Sequence, residues 1–338
     1  MKCVDTVGSR RSRWGASGAS RASVAFAVLL AVAVAGCSKV GELKAKKAIK
    51  DANQAYQAQD YKKAADLYEE AIQAAPDSAD AHVAYFYLAN SYDNLYKPGK
   101  KGEAENDALL QKAVDNYQKA ADTLSTSTDE KQKGLGKLAY QYLANSYGPD
   151  KLNDPAKEEP IVQKMISLDP NDPTNYFALA KIYEDAGAYD QAEQVYLKAK
   201  EIRPNDPDVY ARLAGFYNRQ GEFDKTIAAF EEGSAKDPKN PEAHFIIATY
   251  YWDDAQKNVR LTPDQKRDHI QKGLAQVDKA LQIKPDYIDA LVYKGLLLRL
   301  QANMEKDQAK QQALLKEAVA LHDKAEELRK QKTAGVTK

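Results

Sequence analysis

The stretch 173–240 constrains this chain more than any other. Two segments of 34 residues, PTNYFALAKIYEDAGAYDQAEQVYLKAKEIRPND and PDVYARLAGFYNRQGEFDKTIAAFEEGSAKDPKN, follow each other without a gap. Tyr176 aligns with Tyr210, Leu179 with Leu213, Ala180 with Ala214 and Tyr183 with Tyr217. Gly187 then aligns with Gly221 and Pro204 with Pro238. Tyr176, Leu179 and Tyr183 share one helical face. Gly187 ends that helix, because glycine tolerates the positive φ of a helix stop. Pro204 closes a second helix. Ala180 and Ala192 fall where the two helices cross, and a larger side chain there would overpack the contact. Each segment is a helix pair that cannot bury its apolar face alone, so it needs stacked neighbours.

A helix–turn–helix period of 34 residues with this aromatic, small-residue and proline pattern resembles the tetratricopeptide repeat. The resemblance implies an all-α fold, a right-handed α-solenoid of about seven such repeats over residues 44–330. The repeats fall at about 45–78, 82–124, 137–170, 173–206, 207–240, 241–285 and 288–330, with a disordered tail at 331–338. In the first, helices at about 44–58 and 61–75 flank Gln59-Asp60, with Asp60 as N-cap where glycine is usual in the turn. The hexamer YLANSY occurs at 87–92 and again at 142–147, a sign of internal duplication. Repeats two, six and seven carry insertions, which either dock a partner or lengthen the helical hairpins. In repeat three, three prolines between 149 and 160 place the start of the second helix near Glu159-Pro160, with its end at Leu168. That irregularity is a bend in the array or a break between two subdomains.

The N-terminus has a different character. Residues 1–21 are basic and rich in Ser and Gly, and 22–35 are apolar apart from Ser23. The apolar run is shorter than a membrane span of about 20 residues. A basic leader, a short apolar core and small residues before a cut site mark an export signal. Its end, Val34-Ala35-Gly36-Cys37, resembles the lipobox of bacterial lipoproteins. The resemblance implies removal of residues 1–36, acylation of Cys37, and a short linker at 37–43. Lipid-anchored, the chain would face the periplasm from a bilayer of the cell envelope, the outer membrane in preference to the inner because Ser38-Lys39 lacks an Asp. An ordinary secretory signal or an anchor helix is the plainer alternative. Beyond residue 36 the chain holds 44 basic and 48 acidic residues, a net charge of −4. That balance argues against nucleic acid, which needs a basic stripe.

Catalytic signatures are absent from the sequence. Of the four histidines, 82, 244, 269 and 322, none lies at i+3 or i+4 from another, the spacing of a helical metal site, so each reads as a scaffold or surface residue. No phosphate-cradling glycine loop or nucleophile elbow appears. The expectation is a non-enzyme without cofactor, metal or small-molecule substrate.

Resemblance to tetratricopeptide repeats directs attention to the first helix of each repeat, which in that family lines a concave, peptide-holding groove. The residue after the small Ala is Asn53, Asn90 and Asn145 in repeats one to three. Each amide offers a donor and an acceptor to an extended backbone. Asn is also common at this position in the family, so a scaffold role fits as well. Tyr56, Phe86 and Tyr87 are candidate aromatic contacts, and Lys181, Arg212, Asn218 and Arg219 are candidates in the later repeats. The chaperone-tail clamp of some relatives needs Lys or Arg beside such Asn residues. Ile49, Tyr87, Leu138 and Tyr142 stand there instead. The expected function is a membrane-anchored scaffold binding envelope proteins or peptides, in assembly or maintenance of an envelope complex. A regulatory subunit tethering a cell-wall or export enzyme is the alternative.

Overall fold

The structure is a computed structural model. It describes the backbone of residues 21–336 and the side chains of 39–335, so the leader before residue 21 and the Cys37 side chain lie outside it. All regular structure among the described residues is helical. The chain divides into two compact units between Asp154 and Pro155.

The first unit contains α1 (Arg21–Gln57), α2 (Tyr61–Ala74), α3 (Ala79–Leu95), α4 (Ala104–Leu124) and α5 (Glu130–Tyr147). α1 runs unbroken through 37–43, where a linker was expected, and continues as the first helix of repeat one. Successive helices pack as antiparallel neighbours. α1 also touches α3, and α3 touches α5, so the first helices of the repeats form one layer. Small residues make this possible: Ala52, Ala64, Ala71, Ala89, Ala113 and Ala120 are all fully buried at helix crossings. Gln59 turns the first hairpin with φ 61°. It does what glycine does elsewhere, at the steric cost of a Cβ in the left-handed region. Asp60 caps α2 by accepting from the Lys63 amide at 3.2 Å.

The second unit contains α6 (Pro155–Leu168), α7 (Pro173–Asp185), α8 (Tyr189–Ile202), α9 (Pro207–Arg219), α10 (Phe223–Ser234), α11 (Pro241–Lys257), α12 (Pro263–Ile283), α13 (Ile288–Met304) and α14 (Gln308–Val336). Gly187 and Gly221 end their helices at φ 74° and 75°, as the aligned repeats require. Asp172, Asp206 and Asn240 cap α7, α9 and α11 through their side-chain oxygens, each directly before a proline at the first helical position. An Asx cap satisfies an orphan amide, while proline there has no N–H to lose. Ala180, Ala192, Tyr196, Ala199, Leu213, Ala214 and Phe216 form one continuous core.

Other sequence expectations need correction. α6 starts at Pro155, one turn before Glu159-Pro160, and carries Pro160 inside it. Proline that early removes a single helical hydrogen bond, and Pro155 itself suits the first position. The division between the units falls within repeat three, where the sequence left open a bend or a break: α5 belongs to the first unit, while α6 lies in the second and packs on α7. α14 continues to Val336, into the region expected to be a disordered tail.

The insertions lengthen hairpins. The regular helices α7 and α9 have 13 residues each. α3 and α11 have 17, and each is followed by a 21-residue partner. Asn106 fastens the first of these longer turns. Its side chain is buried, accepts from the Lys97 amide at 2.9 Å, and donates to the carbonyls of Lys97 and Lys100 at 3.1 Å. Two histidines serve the second unit's scaffold. His244 Nδ1 meets Gln276 Oε1 at 2.9 Å, and His269 stacks on Phe223 at 4.9 Å with Nδ1 2.8 Å from Asp254.

Candidate functional site

In the first unit the layer of α1, α3 and α5 carries a wall of aromatic rings. Tyr56 meets Tyr87 edge-on with centroids 5.5 Å apart. Phe86 is edge-on to both Tyr87, at 5.3 Å, and Tyr142, at 5.9 Å. Tyr142 lies flat on Tyr117 at 5.4 Å, and Tyr68 lies flat on Tyr87 at 6.0 Å. Tyr68, Phe86 and Tyr117 are buried, whereas Tyr56, Tyr87 and Tyr142 are half-buried and face outward. Edge-to-face pairs are favourable beyond the area they bury. The buried rings therefore fix the orientation of the exposed ones.

The three asparagines are not equivalent. Asn90 is buried within a closed network. Its Oδ1 accepts from the Tyr56 hydroxyl at 2.5 Å and from Asn94 at 2.9 Å, and its Nδ2 donates to the Tyr117 hydroxyl at 3.1 Å. Asn53 is exposed at its edge but accepts from the Tyr68 hydroxyl at 2.6 Å. Asn145 is exposed, and among the described residues no side-chain hydrogen bond engages it. Asn90 thus acts as a brace for the aromatic wall, and Asn145 is the amide most open to a ligand. Burial raises the Tyr117 hydroxyl well above the usual phenol range, with Asp93 adding to the effect. Burial does the same, more weakly, for Tyr56. Both phenols stay protonated at neutral pH, as their roles in the network need. Asp93 is itself held by Lys151 at 2.5 Å.

In the second unit the charged candidates are all engaged. Lys181 pairs with Asp185. Arg212 pairs with Asp208 at 3.2 Å and lies over the Phe177 ring at 4.8 Å. Arg219 makes two bonds to Glu184, at 2.6 and 3.0 Å. Glu158 is half-buried, and its carboxyl is raised by burial and by Asp185, with Lys181 opposing. Asn218 lines a cavity together with Thr249, Tyr250, Trp252, Asp253 and Tyr293. Sequence reading placed Thr249 at the groove-facing position of its repeat but passed over Tyr250, Trp252, Asp253 and Tyr293 as contacts. It also passed over Tyr142 as a contact, although Tyr142 occupies the same place in the repeated hexamer as Tyr87. Among the described residues no group of three or more His, Cys, Asp or Glu is placed to hold a metal. Among them, too, no helix is long and apolar enough to cross a membrane.

A family model of the tetratricopeptide repeat matches residues 159–215, from α6 into α9. Over those residues the chain is similar to a tetratricopeptide repeat. The C-terminal part of a tetratricopeptide-repeat protein from Cytophaga hutchinsonii superposes with a TM-score of 0.52. It is 16% identical, and the match covers 83% of this chain and 98% of that one. At that identity the likeness shows the fold: helical hairpins of the tetratricopeptide type. A tetratricopeptide-repeat protein from Parabacteroides merdae is 14% identical over 82% of this chain and 99% of its own, with a TM-score of 0.45. YrrB, described as a tetratricopeptide-repeat protein with an unusual peptide-binding site, is 16% identical over 62% of this chain and 99% of its own, with a TM-score of 0.36. No curated protein sequence matches significantly. A fold of this type suggests a protein–protein interaction scaffold.

Proposed function

We propose that this chain is an exported, lipid-anchored scaffold that holds extended polypeptide segments on the aromatic layer of its first unit. The observation that carries the reading is the row of half-buried rings, Tyr56, Tyr87 and Tyr142, spanning α1, α3 and α5 beside the open amide of Asn145. Tyrosine offers a large contact area for little lost side-chain entropy, and its hydroxyl can bond a peptide group. The rings are already fixed by Phe86, Tyr117 and Asn90, so little ordering cost remains when a ligand arrives. The anchor is Cys37 in Val34-Ala35-Gly36-Cys37, and several acyl chains would hold the protein stably on a bilayer. Partners are then other proteins of the cell envelope, met on its periplasmic side and most readily at the outer membrane.

Two measurements in cells test this. A photo-crosslinking residue at position 145 should capture polypeptide, while the same residue at Gln118, exposed on α4, should not. Equal capture at both positions contradicts the groove. Cys37→Ser should abolish labelling by a fatty-acid analogue and release the protein from membranes. Undiminished labelling of that variant removes the anchor.

A further inference from the structure

The cavity of the second unit has chemistry of its own. Asn218 from α9, Thr249, Tyr250, Trp252 and Asp253 from α11, and Tyr293 from α13 line an open cavity of about 300 Å³. Trp252 and Tyr293 meet edge-on with centroids 5.3 Å apart. Tyr293 is braced from behind by Phe245 at 5.2 Å, and Tyr250 by Phe230 at 5.0 Å. The cavity therefore has ring walls held in place before any ligand enters.

An aromatic face attracts a cation. Elsewhere in this unit the chain supplies that cation itself. Lys200 and Lys236 lie over Tyr210, Lys225 over Tyr217, Lys284 over Tyr287 and Arg212 over Phe177. Among the described residues none lies over Tyr250, Trp252 or Tyr293. The cavity also holds a carboxylate, Asp253. Its partner is Lys257, one helical turn away, in a pair whose side chains are 69% and 49% exposed. Such a pair is weak in water and exchanges readily. Arg219, the other nearby cation, is held by Glu184.

We propose that this cavity receives a lysine or arginine side chain of a bound polypeptide. The three rings surround the aliphatic stem and the charge, and Asp253 accepts from the ammonium or guanidinium. An apolar side chain fits less well, because it would desolvate Asp253 and Asn218 without offering them a partner. The inference rests on the polypeptide-binding reading, but it concerns a different unit and different residues.

The chain holds two tryptophans, Trp14 in the leader and Trp252 in the cavity. In the full chain with Trp14→Phe, emission reports on Trp252 alone. The probes are Gly-Gly-Lys-Gly-Gly and the same pentapeptide with norleucine in place of lysine. The lysine peptide should change Trp252 emission at a concentration at least tenfold lower than the norleucine peptide. Asp253→Asn should raise the lysine midpoint about tenfold and leave the norleucine midpoint the same or lower, since a neutral side chain costs less to desolvate. Equal midpoints for the two peptides, or no response to the lysine peptide, overturn the proposal. If that happens while position 145 still captures polypeptide, the cation site falls and the scaffold stands. If capture at 145 is lost while lysine still responds, the groove reading falls and the cavity stands.

Discussion

Gly136→Ala is expected to destabilise the first unit by about 3 kcal/mol, the upper end of what one added methyl does in a packed interior. A Cβ on Gly136 would lie 2.3 Å from the Ser125 nitrogen and 2.6 Å from the Leu124 carbonyl carbon. Both are backbone atoms at the end of α4 and cannot rotate away. The start of α5 would have to lift off α4, and the contacts around Leu124, Ala139 and Tyr140 would open with it. Gly134, two residues earlier on the same helix, has nothing within 4 Å of its virtual Cβ. Gly134→Ala should therefore stabilise, by about 0.5–1 kcal/mol, through helix propensity alone. Denaturant unfolding followed by a probe in the first unit reads both, since a chain of two units need not unfold in one step. Variants that shift stability by the same amount in the same direction would contradict the close approach of α4 and α5.

The second large effect is at Tyr117. Its ring is fully buried, lies flat on Tyr142 and is 5.9 Å from Phe86. Tyr117→Ala should cost about 4 kcal/mol, as truncation of a buried aromatic does. Tyr117→Phe keeps the ring but leaves the Asn90 amide without its acceptor. It should cost about 2 kcal/mol, the penalty of a buried polar group left unpaired. The longer contact to Asp93, at 3.4 Å, adds little, and Asp93 keeps Lys151. Thermal or denaturant unfolding of the two variants separates ring from hydroxyl. A Phe variant as stable as the native chain would show that the Asn90 network does not hold the aromatic wall.

What the sequence made legible was what the backbone and close packing demand locally. The 34-residue period, the buried alanines at helix crossings, the glycine stops at 187 and 221 and the Asp60 cap each rest on a short-range steric or hydrogen-bond rule. Rules of that kind also misled once. Proline as a helix breaker suggested a start near Pro160, whereas a proline in the second turn costs one bond and the helix absorbs it. The state of the asparagines was not legible, because it depends on partners far along the chain. Tyr56 and Tyr117 lie 34 and 27 residues from Asn90, and only the stacking of repeats brings them to it. The same holds for the cavity of the second unit. Trp252 and Tyr293 sit on different hairpins, and although the repeat pattern sets α11 beside α13, it does not say which of their side chains meet. Tyr142 could have been found, since it repeats Tyr87 within the duplicated hexamer.

The central claim is that the aromatic layer of the first unit is the binding face. The most direct test is the affinity of the polypeptide segment captured at position 145, measured by titration against the native chain, a Tyr87→Ala/Tyr142→Ala double variant and a Gln118→Ala control. The double variant, shown to remain folded by its helical signal, should bind at least tenfold more weakly, and the control should bind like the native chain. A folded double variant that binds with native affinity would contradict the account.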